Sequence, residues 1–577
     1  MAFFTTGNNS IDSLVYSSWA ASPGKAVTLT YSFMTSVPND ASADDSNGFA
    51  PMSSEQKAGV RTALAAWAAV ANVKFTEVSS NGDIQLGTND QGSQSSGYAY
   101  LPDGHNPTYL FTNNVDSFNR DFTPGSYGPA VLIHELGHTL GLKHPGNYNS
   151  TGGDVDGPFL PASTDNLDYS QMSYNLGSGF KLNGDYGITP MLYDIQAMQY
   201  LYGANMTYHT GNDSYSFAQS APLQCIWDAG GTDTFNFAGC TSAVTINLNA
   251  GTFSSTAPGY NNISIAYNVT IEGAVAGSGG STIYGNNAGN TITGGAGADT
   301  IYEGTGSDTI NGAGGADTVV FKNAMSSYLI SGTLASLTIS GEGTDKLSNV
   351  ETLVFSDRTI QLDGLTKFAA TTAGDDHLTA GAGNDFISAG AGFDTVTYAN
   401  ARSNYTISAS GSDFTVVDNV GTGGTDTLNS VERLVFGDGS AVAFDMGSHQ
   451  LAGEAYRIYQ AAFNRTPDLG GLGFWIKALD NGFTLTQVAD FFLVSEEFQR
   501  VYGTNLSNSQ IVTQFYQNIL HRAPDPGGAQ FYTDVLDQGR ASRAAVLADI
   551  SESPENQNAV ILTGKITNGI EYHISGA

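Results

Sequence analysis

The sequence predicts a multidomain protein that passes from an α/β domain through two parallel β-roll modules into an all-α domain. Three observations carry that expectation. Up to about residue 205, β-branched and aromatic stretches alternate with amphipathic helical ones. Between about 206 and 447, glycine and aspartate recur with a nine-residue period. From 448 on, helix formers dominate and one segment repeats at an offset of 57 residues. The expected boundaries are therefore 1–205, 206–365, 366–447 and 448–577. A chain of 577 residues is too long for one hydrophobic core, which fits this division.

In the first region Val27–Phe33 alternates and is rich in β-branched and aromatic residues, a strand signal. Residues 38–50 read as a polar loop. A helix is expected from near Ser53, with Gln56 completing a capping box. Its apolar face carries Val60, Leu64, Trp67 and Ala71. Val73–Val78 and Asp83–Gly87 read as further strands. This order leads into a histidine-bearing helix and predicts that helix behind a twisted sheet. A strand bordering the cleft would suit an extended peptide better than a small molecule. Asp194–Tyr202, with Ile195, Met198 and Leu201 on one side, reads as the helix that closes the region.

The region is organised around Val131–His144, which contains H-E-x-x-H-x-x-G-x-x-H. On a helix His134 and His138 are one turn apart and share a face, so both imidazoles can meet one metal ion. Gly141 has no Cβ, so the helix can stop there and the chain can reverse, bringing His144 to the same ion. Three imidazoles with a fourth position open describe a catalytic zinc site rather than a structural one. Glu135 is then the general base acting on the attacking water. Three histidines placed for packing is the plainer alternative, and H-E-x-x-H alone can arise by chance. Three of only nine histidines at the required offsets argue against it. Downstream, Met172 in a tight turn would put a soft floor beneath the imidazoles. Tyr174 would bring a phenol near the metal, able to ligate it and then to donate to a developing oxyanion. Core packing is the plainer reading of each of these two residues taken alone.

Together these motifs resemble the serralysin family of metzincin zinc peptidases. His134-Glu-Leu-Gly-His-Thr-Leu-Gly-Leu-Lys-His-Pro145, Met172-Ser-Tyr174 and Asp194-Ile-Gln-Ala-Met-Gln-Tyr-Leu-Tyr202 carry the resemblance, which runs from residue 10 to about 365. It implies a metzincin catalytic domain with endopeptidase activity and one catalytic zinc on His134, His138 and His144. Glu135 would be base and proton shuttle, Met172 the Met-turn, and Tyr174 the extra ligand and oxyanion stabiliser. Family members are often made with a short propeptide, whereas the recognisable domain here begins almost at once.

Glycine is abundant, at 70 residues, and the formal net charge is −33 from 21 basic and 54 acidic residues. Such a chain does not bind nucleic acid or an anionic membrane through its general field. Disorder is argued against by 30 Phe and 28 Tyr. No run of eighteen apolar residues would span a membrane, and the N-terminus lacks the pattern of a cleaved secretory signal. Cys225 and Cys240 would form one bridge or remain buried thiols.

The acids concentrate in the Gly-rich repeats, at Asp299, Asp308 and Asp317 and again at Asp376, Asp385 and Asp394. Each repeat is a Gly-rich turn exposing carbonyls, one carboxylate, and a short strand with an inward Ile or Val. Stacked turns would hold several structural calcium ions, since a hard cation takes about six to eight oxygens. A larger duplication relates Gly343–Asp357 to Gly424–Asp438 at an offset of 81, so two modules follow one another. Phe393 weakens the consensus of the second. Upstream, Asp213 and the set Asp228, Gly230, Gly231 and Asp233 resemble serralysin calcium loops, and Thr270 and Glu272 fall where that family places two more ligands. His209 stands where an arginine is usual, and Gly280-Ser281 replaces an expected Asn or Asp, so one site there is expected to be lost. Calcium is expected to drive folding after passage through a secretion channel. Resemblance to repeats-in-toxin (RTX) proteins implies export by a type I secretion system.

In the last region Tyr459–Trp475 matches Tyr516–Tyr532, each with an Arg-x-Pro-Asp-x-Gly-Gly loop between helices. It resembles a bacterial helical domain of unassigned function, DUF4214. The loop Asp reads as a helix cap, and exposed aromatics would suit a cell-surface glycan or protein partner or a core role. The segment 566–577 would serve secretion. The expectation is thus a secreted, extracellular, calcium-dependent zinc endopeptidase acting on proteins or peptides. The alternative is a calcium-stabilised surface or adhesion protein with a vestigial peptidase domain.

Overall fold

The computed structural model describes residues 5–104, 106–149, 156–371, 373–410, 412–561 and 568–574. The chain divides into two compact units, residues 1–323 with 342–360 and residues 324–341 with 361–577. Among the described residues no helix is long and apolar enough to cross a membrane.

The first unit opens with a five-stranded sheet ordered Val73–Glu77, Val27–Phe33, Ile84–Asn89, Thr108–Asn113 and Gly97–Ala99. The first four strands are parallel and Gly97–Ala99 is antiparallel at the edge. Sequence reading found three of these strands and missed the last two. Gly97–Ala99 has only three residues, too few to show a period. The helix Ser54–Val70 starts as expected, with Ser53 and Gln56 forming the capping box. Val60, Leu64, Trp67 and Ala71 are all buried. Trp67 Nε1 donates to the Ile133 carbonyl at 3.1 Å, which ties this helix to Tyr127–Thr139, the histidine helix.

Residues 38–50 are not wholly loop. Ala43–Ser46 forms one helical turn, closed by a reciprocal cap between Ser42 and Asp45. The turn has a purpose in the fold, because the buried Asp45 accepts the hydroxyls of Tyr98 and Tyr100 at 2.8 and 3.1 Å. That anchors the edge strand beside the histidine helix. Leu192–Tyr202 closes this part of the unit.

The nine-residue period becomes two stacks of parallel strands that pair at a spacing of 18 residues. Thr291–Thr293 pairs with Thr309–Asn311, and Thr300–Tyr302 with Thr318–Val320. Successive half-turns therefore alternate between two faces. Each strand sends one apolar side chain inward, so Ile292, Ile301, Ile310 and Val319 are all buried. Cys225 and Cys240 are buried free thiols.

In the second unit the pattern repeats. Lys367–Ala370, Asp385–Ser388 and Thr425–Asn429 make one parallel stack, and His377–Thr379, Thr395–Tyr398 and Arg433–Phe436 the other. Phe393, the residue that breaks the repeat consensus, lies under the Arg433 guanidinium at 4.7 Å. Arg433 is itself buried and paired with Asp445. The helical region contains eight helices among the described residues, from Leu451–Phe463 to Pro554–Ile561. Each copy of the 57-residue duplication is thus four helices rather than the two its motif marks. Asp468 and Asp525 cap the helices Leu469–Asp480 and Pro526–Asp537 through Gly471 and Gly528 amides. Ile570–His573, part of the expected secretion segment, adds as an antiparallel strand to Ser440–Ala443. Residues 566, 567 and 575–577 of that segment lie outside the described residues.

Replacing Ile301 by Ala removes a fully buried side chain from the first roll. A loss of about 2–5 kcal/mol is expected, seen as a lower urea midpoint of the β transition at saturating calcium. An unchanged midpoint would contradict the packing described.

Candidate active site

The histidine helix ends at Thr139, where the Leu140 amide bonds back to Leu136. Gly141 then takes φ +105, and a Cβ there would lie 2.1 Å from the Ser17 carbonyl oxygen. Only glycine satisfies both demands, and the reversal it allows returns His144 to the face of His134 and His138.

The Nε2 atoms of His134, His138 and His144 form a triangle with all three sides 3.1 Å. Each ring is fixed from behind. His134 Nδ1 faces the Gln171 carbonyl at 2.8 Å, His138 Nδ1 the Leu142 carbonyl at 2.8 Å, and His144 Nδ1 the Tyr148 carbonyl at 3.1 Å. A carbonyl only accepts, so each Nδ1 carries its hydrogen and each Nε2 presents a lone pair. Burial holds His134 down to about 4 and His144 to about 3, and pushes His138 well below its usual range. Three neutral imidazoles thus aim lone pairs at one point, an arrangement that fits a cation. Tetrahedral zinc at its usual bond length spaces nitrogens about 3.3 Å apart, close to the triangle observed.

Glu135 follows His134 on the same helix and is buried, with Oε2 lacking a partner among the described residues. Burial raises its carboxyl to about 8, so it favours holding a proton. Gly97 on the edge strand passes so close that a Cβ would sit 3.2 Å from Glu135 Oε1. Met172 is fully buried beneath the helix, and a Cβ on Gly137 would strike its sulfur at 2.7 Å. Tyr174 lies over the triangle, its ring 4.6 Å from His144 and 5.9 Å from His134, and its side chain is 47% exposed. The cleft above has a cavity of about 310 Å³ on the side of Tyr98, Leu101 and Lys143. A second cavity of about 460 Å³, lined by Tyr127, Val131, Leu167 and Tyr186, opens beyond His134.

Sequence reading missed the supports. Buried Asp194 accepts from Ser170 Oγ at 2.6 Å and from the Gln171 amide at 2.7 Å, so the closing helix orients the turn that holds His134. Lys143 Nζ, also buried, donates to the Ser13 and Pro158 carbonyls at 2.7 and 2.9 Å.

In the repeats, four aspartates each accept the amide of a residue 18 positions earlier, while Asp385 accepts the Gly381 amide. Ser281, Asn290, Asp299 and Asp376 donate to Asp299, Asp308, Asp317 and Asp394. The ladders end on residues the repeat motif did not include. Asp308 and Asp317 amides donate to Asp345 and Glu351, and Asp385 and Asp394 amides to Asp426 and Glu432. Their signal was present, since each pair recurs at the offset of 81. Upstream, the Asp213 amide donates to Asp233, and the Asp233 amide to Glu272. His209, Asp213 and Asp228 bring ligand atoms within 4.8 Å of one another, as do Glu303, Asp308 and Asp345. Gly230 and Gly231 take φ +139 and +157 in the loop after Asp228, and Thr270 is exposed two residues before Glu272. Asp233, Asp317, Asp385 and Asp394 each keep one buried oxygen without a partner among the described residues. Such oxygens suit a hard cation.

The family model described as Peptidase M10 serralysin C terminal matches residues 193–438, and that of the domain of unknown function DUF4214 matches 489–560. Serralysin C of Dickeya chrysanthemi is 40% identical over 285 residues, covering 44% of this chain and 58% of its own length. Serralysin of Proteus mirabilis is 38% identical over 268 residues, with 40% and 54% covered. Metallopeptidase AprA of Pseudomonas marginalis is 37% identical over 289 residues, with 45% and 61% covered. The chain spans about three fifths of the length of these curated relatives. It is homologous to serralysin-type metalloproteases and carries a DUF4214-like helical region.

Burial and neighbouring carboxylates raise Asp233, Asp317 and Asp426 to about 6 from the ordinary 3.8. Without calcium, the folded chain then binds more protons than the unfolded chain between those two values. Stability of the calcium-free rolls therefore rises as pH falls through 6. In chelator, the far-UV CD β signal is expected to be larger at pH 5 than at pH 7.5, and saturating calcium should remove the difference. A larger signal at pH 7.5 in chelator would overturn this account. Calcium-folded protein is also expected to hold one zinc per chain by elemental analysis. His138→Ala should lose it on dialysis.

Proposed function

We propose that the protein is a secreted, calcium-dependent zinc endopeptidase that hydrolyses peptide bonds of proteins. The observation that carries this reading is the 3.1 Å triangle of imidazole nitrogens with Glu135 beside it. His134, His138 and His144 are the zinc ligands. Bound there, zinc supplies Lewis acidity to the scissile carbonyl and to the attacking water.

The remaining work falls to the chain itself. The inner edge of Gly97–Ala99 is paired with Leu110–Thr112, so its outer edge can receive an extended substrate as a further antiparallel strand. Glu135 takes a proton from the attacking water and hands it to the leaving amine. Its Oε2, buried and without a partner among the described residues, is open to receive that proton. Tyr174 donates its hydroxyl to the oxyanion that develops on the carbonyl. Met172 packs under Gly137 and supports the helix from below.

Calcium acts through folding. The ligand set is Asp213, Asp228, Gly230, Gly231, Asp233, Thr270 and Glu272, with Asp299, Asp308 and Asp317 in the first roll and Asp376, Asp385 and Asp394 in the second. Asp345, Glu351, Asp426 and Glu432 extend it. Without the ion, these packed carboxylates repel one another and lack counter-charge. A chain kept open at low calcium can pass a type I exporter and fold outside, the route that its resemblance to repeats-in-toxin proteins implies. The domain division 1–205, 206–365, 366–447 and 448–577 belongs to the same reading. We assign contact with a cell-surface glycan or protein to the helical region. Its exposed Phe474, Phe491 and Phe531 support that role.

Glu135→Ala is expected to reduce casein hydrolysis by about 10²–10⁴-fold while one zinc per chain remains. Retained cleavage would sink the assignment. Tyr174→Phe should lower kcat on the order of 10²-fold with zinc content unchanged. An unaltered kcat would remove the oxyanion role.

A further inference from the structure

Tyr148, on the loop after the third histidine, touches the site twice. Its carbonyl accepts His144 Nδ1 at 3.1 Å. Its ring stacks on the ring of Tyr174, with centroids 4.8 Å apart and planes at 25°. The far end of Tyr148 is also held. Its hydroxyl donates to Asp165 Oδ1 at 2.6 Å and lies 3.2 Å from Ser173 Oγ, which bonds the same carboxylate oxygen at 2.7 Å. The Tyr174 amide approaches the Tyr148 oxygen at 3.4 Å. The loop is shaped for this ring, because a Cβ on Gly146 would lie 2.1 Å from its edge and 2.6 Å from Asp165 Oδ2.

Tyr174 itself is nearly half exposed. Side chains occupy a few staggered rotamers, and packing against a neighbouring ring favours one of them; here the observed one sets the Tyr174 ring over His134 and His144. We propose that Tyr148 is the positioning residue for Tyr174: its ring is the platform that keeps the Tyr174 phenol over the triangle, and Asp165 with Ser173 fixes that platform through the Tyr148 hydroxyl. This rests on the reading of Tyr174 as a group that acts at the metal. A stacked aromatic pair shifts a rotamer balance by about two- to tenfold. That is the size of effect to look for.

The test uses the full chain, folded in calcium, with the metal exchanged for copper(II) and copper counted per chain. A tyrosine phenolate beside copper(II) gives a visible charge-transfer band, which a purely structural role for Tyr148 would not alter. Tyr148→Leu is expected to reduce that band about two- to tenfold per bound copper and, with zinc, to lower kcat by a similar factor at nearly unchanged KM. Tyr148→Phe keeps the ring but loses the tie to Asp165 and Ser173, so its band should fall below that of the unsubstituted protein and stay above that of Tyr148→Leu. If the leucine variant does not fold, an undiminished band and kcat in Tyr148→Phe would overturn the anchoring that the proposal assigns to Asp165 and Ser173. Full band and full kcat in Tyr148→Leu, with both diminished in Tyr174→Phe, would overturn the proposal and leave the role of Tyr174 standing. No band in the unsubstituted protein, with Tyr174→Phe fully active, would overturn both.

Discussion

Three imidazole lone pairs pointed at one another are unfavourable unless a cation lies between them. Yet the fold forces that arrangement from three directions. The Gln171, Leu142 and Tyr148 carbonyls each claim one Nδ1 hydrogen, and burial keeps the rings neutral. Much of the first unit serves to hold those carbonyls in place. Trp67 ties the neighbouring helix to the histidine helix, Gly141 turns the chain, and Asp194 orients the turn that contains Gln171. Outer partners of this kind set both the tautomer and the basicity of the ligating nitrogen.

The rolls express the same logic with carboxylates. A buried aspartate that accepts one amide still has a second oxygen to satisfy, and Asp233, Asp317 and Asp394 each keep one without a partner among the described residues. The amide ladder makes the stack regular, but regularity brings the like charges into register. Under the proposed reading, folding is conditional on a counter-charge from outside. Where a turn departs from the repeat, the structure supplies a local answer. Phe393 lies under Arg433, and Tyr398 donates to the second oxygen of Asp426 at 3.0 Å.

Legibility followed the length scale of each interaction. The helix from Ser53 and its apolar face were readable because capping and a 3.6-residue period are local. The short helix at Ala43–Ser46 and the strand Gly97–Ala99 were not. One turn and three residues hold no period, and both depend on the link from Asp45 to Tyr98. The four-helix content of each C-terminal copy was half hidden for a related reason. The repeated motif marks the loop that demands Asp and Gly, while the other helices meet only the looser requirement of an apolar face.

The sequence alone determined which residues could meet a metal and which side chains of the repeats turn inward. Both follow from spacing along a helix or strand, where backbone geometry converts residue number into direction. The tertiary structure decided what stands behind those residues: the three carbonyls, Asp194, Tyr148 with Asp165, the edge strand at Gly97, and the ladder ends at Asp345, Glu351, Asp426 and Glu432. Apart from the Leu142 and Tyr148 carbonyls, each four residues beyond its histidine, these partners are separated from the groups they serve by stretches with no fixed period. Only the closing of the chain on itself assigns them.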